Sequence, residues 1–176
     1  HKELFLGYTT INVMVMREMP NRRTTHVLDR GSYDQPGEVV EAGVPAILGG
    51  WSEAFPSNRL GFARWLVAEE HPLTSRVAVN RWWQACFGVG LVKSSEDFGT
   101  QGERPSHPQL LDWLAVNFQE RQWELTWLQR KMLTSSTYGQ SSRCSPSKQA
   151  EDPENRWLQK GPSRRLHAEE VRDAVL

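Results

Sequence analysis

The stretch SHPQLLDWLAVNF, residues 106–118, decides the fold class. Apolar residues recur in it at intervals of three and four: Leu110, Leu111, Leu114 and Phe118. This spacing places them on one face of an α-helix. We expect Ser106 to cap the helix and Pro108 to occupy its first turn, where a missing N–H costs little. The stretch therefore predicts a helix that packs one face against a core.

Helical patterns flank this stretch on both sides. We predict one helix capped by Ser57 and a second from about Thr74 to Phe87, which ends at Gly88 because glycine is a common helix terminator. After the central helix, Thr126 is expected to cap another. The middle of the chain therefore reads as a set of amphipathic helices.

The C-terminal part is less regular. We expect residues 139–151, rich in Ser, Gln and Lys, to be flexible. Asp152 followed by Pro153 predicts the start of a short helix that ends at Gly161, followed by Pro162. Residues 168–176 read as the beginning of a final helix, so we expect a helical domain truncated at its C-terminus.

The N-terminal part favours β-structure. We predict strands at Thr10–Met16, Thr24–Leu28 and Glu38–Glu41, because β-branched and apolar residues dominate them between turn residues. The expected organisation is a β-rich segment over residues 1–50, which ends a preceding region, a linker over 51–57, and a helical domain over 58–176. The predicted fold class is therefore α+β, mainly an α-helical bundle with a small N-terminal β section.

Composition and motifs exclude several function classes. The 21 Lys and Arg residues balance 21 Asp and Glu residues, so the net charge is zero, unlike that of a general nucleic-acid binder. No run of 18 apolar residues predicts a transmembrane segment. The chain contains no Cys-x-x-Cys-His, P-loop, Gly-x-Gly-x-x-Gly, His-Glu-x-x-His or Gly-x-Ser-x-Gly motif. We therefore expect no cofactor and no metal in this chain.

The first candidate binding cluster lies on the second predicted helix. Arg76 and Asn80 are four positions apart and share a helix face, so both side chains, together with Arg81, are candidates to bind an anion. The alternative is structural: Asn80 and Arg81 satisfy buried carbonyl groups of the long loop that follows. We favour the structural interpretation.

The second cluster, residues 97–108, spans the end of a long polar loop predicted over 91–105 and the start of the central helix, and it contains the only catalytic candidates, Asp97 and His107. A histidine that titrates near neutral pH beside a carboxylate is suited to general base catalysis. The structural alternative, which we favour, has Asp97 cap backbone N–H groups, Phe98 plug the core and His107 lie in the first helical turn.

The tryptophans suggest a carbohydrate-binding platform. Five of the eight fall in predicted helices, where core packing is the expected role for most of them: Trp65, Trp82, Trp83, Trp113 and Trp127. Trp51 lies in the predicted linker and is the best candidate for an exposed aromatic ring.

Four ordered motifs carry a family resemblance. They are HPLTxRVxxNRxW at 71–83, DFGxQGxxPSHP at 97–108, SxTYxQSS at 135–142 and RLxxExxRD at 165–173. With them the chain resembles the planctomycete-type, cytochrome c-associated domain of unknown function 1553, preceded by the end of another domain of unknown function.

The resemblance implies a setting more than a reaction. Such proteins are typically exported and carry c-type haem in other parts, so an extracytoplasmic location is expected. No catalytic residue is carried over. We expect a non-catalytic structural or interaction module whose partners are other domains or subunits of its parent. Two alternatives stay open: part of an oxidative or hydrolytic polysaccharide-processing enzyme, and a carbohydrate-binding surface.

Overall fold

A computed structural model describes residues 13–163, 165–166 and 168–175. The described residues form two strands and seven α-helices, with short 3-10 turns at Asp29–Gly31 and Ala46–Leu48. The strands are β1 (Thr25–Leu28) and β2 (Pro36–Val40). The helices are α1 (Arg59–Leu66), α2 (Thr74–Phe87), α3 (Pro108–Glu120), α4 (Leu125–Leu133), α5 (Ser136–Gly139), α6 (Pro146–Glu151) and α7 (Ala168–Val175). The α+β fold class, mainly helical with a small N-terminal β section, is confirmed.

The core lies where α2, α3 and α4 pack together. Its buried members are Val79, Trp83, Leu91, Val92, Leu111, Leu114, Ala115, Phe118, Leu128 and Met132. The predicted apolar face of α3 is confirmed, because Leu111, Leu114 and Phe118 are each less than 5% exposed. Gly88 ends α2 as predicted, with a φ of 88° that glycine adopts without strain.

β1 and β2 form an antiparallel hairpin in which Thr25 lies opposite Val40. The predictions for these two strands are confirmed, although β2 begins at Pro36, which we expected in the turn. Proline is tolerated as the first residue of an edge strand, where no partner needs its N–H.

The strand predicted at Thr10–Met16 is wrong over the residues that the structure describes. Residues 10–12 lie outside them, and Val13–Met16 form no strand and are exposed. An isolated extended segment has no neighbour to complete its ladder of hydrogen bonds, so high β-propensity alone does not make it a strand.

Two helices begin one residue later than predicted, because each predicted capping serine is engaged elsewhere. Ser57 Oγ accepts from Arg22 Nη1 at 3.2 Å, and Asn58 caps α1 by accepting from Gly61 N at 3.0 Å. Ser106 Oγ donates to Leu91 O at 3.3 Å and lies 3.0 Å from His107 Nδ1, and His107 is the residue before α3.

The helix α4 begins earlier than predicted, with Glu124 rather than Thr126 at its cap position. Gln122 and Trp123 adopt positive φ values of 53° and 62°, which reverse the chain tightly after α3. The Trp123 ring packs edge-on against Phe118 at 5.2 Å. The partly buried Trp123 ring packs on the core at this reversal, and α4 begins two residues later.

The expectations for residues 139–162 are wrong in two places. The segment expected to be flexible contains α6, which Ser145 caps by accepting from Lys148 N. No helix follows Asp152; residues 152–161 form irregular turns, with positive φ at Asn155 and Leu158. Ala168–Val175 is helical as predicted.

Candidate functional site

The connection between α2 and α3, residues 88–107, holds both catalytic candidates and is named the α2–α3 loop. Its first part is held by Asn80, which is fully buried on α2. Asn80 Nδ2 donates to Val92 O at 2.9 Å, and Val92 N donates to Asn80 Oδ1 at 2.8 Å. The amide therefore takes the place of a neighbouring strand for Val92. This is the role that the structural interpretation of Asn80 predicts.

The same contact explains a glycine in the loop. A Cβ on Gly90 would lie 2.5 Å from Val92 O and 2.7 Å from Asn80 Nδ2. Only glycine allows the chain to pass this close to the asparagine. The Asn80 amide and Gly90 thus form one packing unit.

The middle of the loop is organised around Asp97 and Ser94. Asp97 Oδ1 accepts from Gly99 N at 2.7 Å, the short-range capping that the structural interpretation predicts. Ser94 Oγ donates to Asp97 O and accepts from Glu103 N, both at 2.8 Å. Phe98 packs against the core cluster, also as predicted. The turn is therefore closed by its own side chains.

A second set of anchors, which the sequence analysis missed, comes from the irregular segment after α6. Asp152 is 6% exposed and accepts from Arg156 N at 2.7 Å and Trp157 N at 2.6 Å. Arg156 Nη1 and Nη2 donate to Gly90 O at 2.9 Å and Leu91 O at 3.3 Å. A carboxylate four residues before an arginine was the available signal, but we interpreted it as a helix cap. Asn80 holds the α2–α3 loop from a helix that precedes it in the chain, and Arg156 holds it from a segment that follows it.

The structure does not bring the two catalytic candidates together. His107 Nδ1 lies 3.0 Å from Ser106 Oγ, and its ring meets Trp157 edge-on at 6.1 Å. No hydrogen bond within the described residues joins His107 to Asp97, whose Oδ1 is held by Gly99. The pair therefore lacks the geometry of a coupled acid and base.

The arginines of the first cluster face different partners. Arg76 donates through Nε to Asp112 Oδ1 at 2.6 Å and through Nη1 to Pro72 O, so it joins the start of α2 to α3. Arg81 is exposed and pairs with Glu96 at 3.3 Å. The expectation that Arg81 satisfies buried carbonyl groups is therefore wrong, since its partner is a surface carboxylate. Among the described residues, Asn80 makes no hydrogen bond with the partners of either arginine. The three side chains therefore do not form one anion-binding cluster.

The tryptophans differ from expectation at one position, Trp51. Trp51, expected to be exposed, is half-buried and donates through Nε1 to Phe55 O at 3.1 Å. Trp65 and Trp83 are buried as predicted, and Trp127 packs half-buried against the core. Trp82 and Trp113 are 37% and 50% exposed, so core packing holds for three of the five helical tryptophans, the majority that was expected. Both belong to helices whose buried faces are occupied by other residues.

His71 caps the start of α2 from a buried position. Its Nδ1 lies 3.3 Å from Leu73 N, 3.2 Å from Thr74 N and 2.9 Å from Thr74 Oγ1. The ring is 7% exposed and meets Trp65 edge-on at 4.6 Å. An Nδ1 that accepts from backbone N–H groups carries no proton, so the native state holds the neutral imidazole.

We expect stability to fall in mild acid because of His71. Burial lowers the pKa of His71 below its ordinary value of 6.5. The contribution of neutral His71 to the free energy of unfolding is therefore complete above pH 6.5. It is lost as the pH falls through the lower pKa of the folded state. The measurement is urea unfolding from pH 7.5 to 5.0, with His71→Gln as the comparison. An identical pH dependence in the two proteins would contradict the prediction.

Other features bear on cofactors and partners. Within the described residues, no group of three or more His, Cys, Asp or Glu side chains is placed to hold a metal ion. None of the described helices is both long and apolar enough to cross a membrane. Cys86 and Cys144 are half-buried thiols, and Cys86 packs against the core cluster.

The comparisons with known proteins agree with the motifs. Residues 58–176 match the family described as PSD1, protein of unknown function (DUF1553). No curated protein and no solved structure shows a significant match to the chain. The family match covers more than half of the chain and includes α1 to α7, the α2–α3 loop and both sets of anchors. The chain therefore belongs to the PSD1 family, DUF1553.

Proposed function

We propose that this chain is a non-catalytic structural and interaction module of a larger protein. The observation that carries the proposal is the use of its polar motif residues. Asn80 holds Val92, Asp97 holds Gly99, and Arg156 holds Gly90 and Leu91. Each of these side chains is engaged by the main chain of one loop. Groups used in this way hold the main chain of the loop in one conformation.

The geometry of the catalytic candidates supports the same proposal. A general base must lie within hydrogen-bond reach of the proton that it removes. Asp97 Oδ1 is taken by Gly99 N, and His107 Nδ1 lies beside Ser106 Oγ. No hydrogen bond among the described residues couples the two side chains as an acid and base pair.

Exposed apolar surface supports an interaction role. On α3, Trp113 and Val116 are 50% and 49% exposed, and the Trp113 ring lies 6.2 Å from Trp127. Arg121 lies over the Trp127 ring at 4.9 Å from its centroid. Exposed aromatic and arginine side chains are enriched at protein interfaces. We infer that other domains or subunits of the parent protein pack against this part of α3 and α4.

We extend the proposal to the setting that the family resemblance implies. The parent is then an exported, multidomain protein outside the cytoplasm, with c-type haem in a part other than this chain. Support for this setting comes from the resemblance alone. It is tested by reading the parent for a signal peptide and an upstream Cys-x-x-Cys-His, and the absence of both would contradict it.

Substitution of Asp97 separates a structural role from a catalytic one. Asp97→Ala is expected to lower the free energy of unfolding by about 1 kcal/mol, because Gly99 N loses its acceptor. Asp97→Asn keeps an acceptor oxygen without the carboxylate and should recover most of that loss. Chemical denaturation measures both values.

Asp97→Asn and a further variant, His107→Ala, test catalysis directly in the intact parent. A turnover that persists in Asp97→Asn and in His107→Ala agrees with the proposal. Turnover that disappears in either variant while the fold is retained would refute it.

A further inference from the structure

A groove of about 740 Å³ lies between the N-terminal segment, the end of β2 and the start of α1. Its walls carry four arginines and two glutamates: Arg17, Arg22, Arg23, Arg59, Glu18 and Glu41. The chain as a whole has no net charge, so this excess of positive charge is local. The volume falls in the range of pockets that hold a drug-sized ligand.

The arginines of the groove differ in their partners. Arg22 donates to Ser57 Oγ, and Arg59 is paired with Glu18 at 2.8 Å. Across the part of the chain that the structure describes, the guanidinium groups of Arg17 and Arg23 have no hydrogen bond and no ion pair. Two guanidinium groups beside one groove that lack a partner among the described residues are suited to bind two carboxylates.

The pairing of Arg59 shows how the groove holds a carboxylate. Glu18 Oε1 accepts from Arg59 Nε at 2.8 Å and from Arg59 N at 3.3 Å. Glu18 belongs to an extended segment that forms no helix or strand. The groove therefore already holds one carboxylate that is presented by an extended chain.

The remaining walls fit a peptide. Val39, Val40, Trp51 and Phe62 supply apolar surface, and Phe62 is 44% exposed. Ala42, just past the end of β2, makes no main-chain hydrogen bond among the described residues. An extended peptide offers main-chain donors and acceptors to such a segment, which an inorganic anion lacks.

We propose that this groove binds an extended acidic peptide segment of another domain of the parent protein. Carboxylates of the peptide pair with Arg17 and Arg23, and its apolar side chains cover Trp51 and Phe62. The inference deepens the proposed interaction role and rests on it. It adds the chemistry of the partner and the surface that receives it.

Binding of a labelled peptide to the full chain tests the inference. The probe is fluorescein-labelled Val-Glu-Val-Glu-Val-Glu-Val, and its binding is measured by fluorescence polarisation. The control is the same peptide with Gln in place of each Glu. We expect the Glu peptide to bind roughly tenfold more tightly, and the difference to shrink as salt is raised. Equal binding of the two peptides would overturn the proposal, and so would equally effective competition by inorganic phosphate.

Paired variants locate the binding. Arg17→Gln with Arg23→Gln should weaken the Glu peptide roughly tenfold, whereas Arg17→Lys with Arg23→Lys should retain most of the affinity. Arg104→Gln with Arg143→Gln removes the same charge outside the groove and should leave binding within about twofold. If the control pair weakens binding as much as the groove pair, the groove is not the site.

A parallel measurement with the rest of the parent polypeptide keeps the two proposals separate. If the parent binds the chain but the Glu peptide does not, the groove inference alone fails. If neither binds, the interaction role fails with it.

Discussion

Replacement of Asn80 by alanine is expected to lower the free energy of unfolding by about 3 to 5 kcal/mol. Asn80 is fully buried, and its amide satisfies both the N–H and the C=O of Val92, which is 2% exposed. Alanine removes both partners at once. Val92 N then loses its acceptor and Val92 O keeps the longer bond from Ser95 Oγ at 3.4 Å, at about 1 to 3 kcal/mol for each weakened group, and a cavity remains beside Gly90.

Two variants of the same helix make this test specific. Asn80→Asp keeps an acceptor for Val92 N but places a carboxylate against Val92 O, so it should also destabilise. Gln84→Ala, one turn later, removes an exposed side chain whose one hydrogen bond among the described residues is from Ser95 Oγ, and it should cost less than about 1 kcal/mol. Urea unfolding measures all three. Hydrogen exchange should show that the Val92 amide loses protection in Asn80→Ala. A stability within 1 kcal/mol of the unsubstituted chain would show that Asn80 does not anchor the loop.

The substitution Gly61→Ala should destabilise the start of α1 by about 3 kcal/mol. A Cβ at Gly61 would lie 1.8 Å from Pro56 O and 3.0 Å from the Trp51 ring. The first of these neighbours is backbone, which cannot rotate away as a flexible side chain does. Either α1 or the segment before it must move. This movement also disturbs the capping hydrogen bond that Gly61 N donates to Asn58 Oδ1.

The matched control for Gly61 is Gly139→Ala in α5, where a new Cβ meets nothing within 4 Å. Alanine in an unobstructed helical position should be neutral or stabilise by about 0.5 kcal/mol. Thermal and urea unfolding of the two variants compare them directly. Equal stabilities would mean that the approach of Pro56 to α1 is not maintained in solution.

Much of the helical architecture could be predicted from local sequence. The spacing of Leu111, Leu114 and Phe118 specifies the buried face of α3, and Gly88 specifies the end of α2. These signals are contained within one or two helical turns, so neighbouring residues alone determine them. The same holds for the turn in which Asp97 caps Gly99, two residues away.

Long-range contacts account for most of the errors. Ser57 and Ser106 are plausible caps by local rules, yet their partners are Arg22 and Leu91, which are 35 and 15 positions away. Arg156 fastens the α2–α3 loop across 66 positions in sequence. No periodicity reports such a pairing, because it depends on how the folded chain returns to the same place.

The sequence by itself determined the fold class, the positions of the main helices and, through its ordered motifs, the family. Only the tertiary structure decided which polar residues hydrogen-bond to the α2–α3 loop and which arginines beside the groove have no partner among the described residues. Helix periodicity is a local property of neighbouring residues. Hydrogen-bond satisfaction and exposed charge depend on contacts between distant segments, which exist only once the chain has folded.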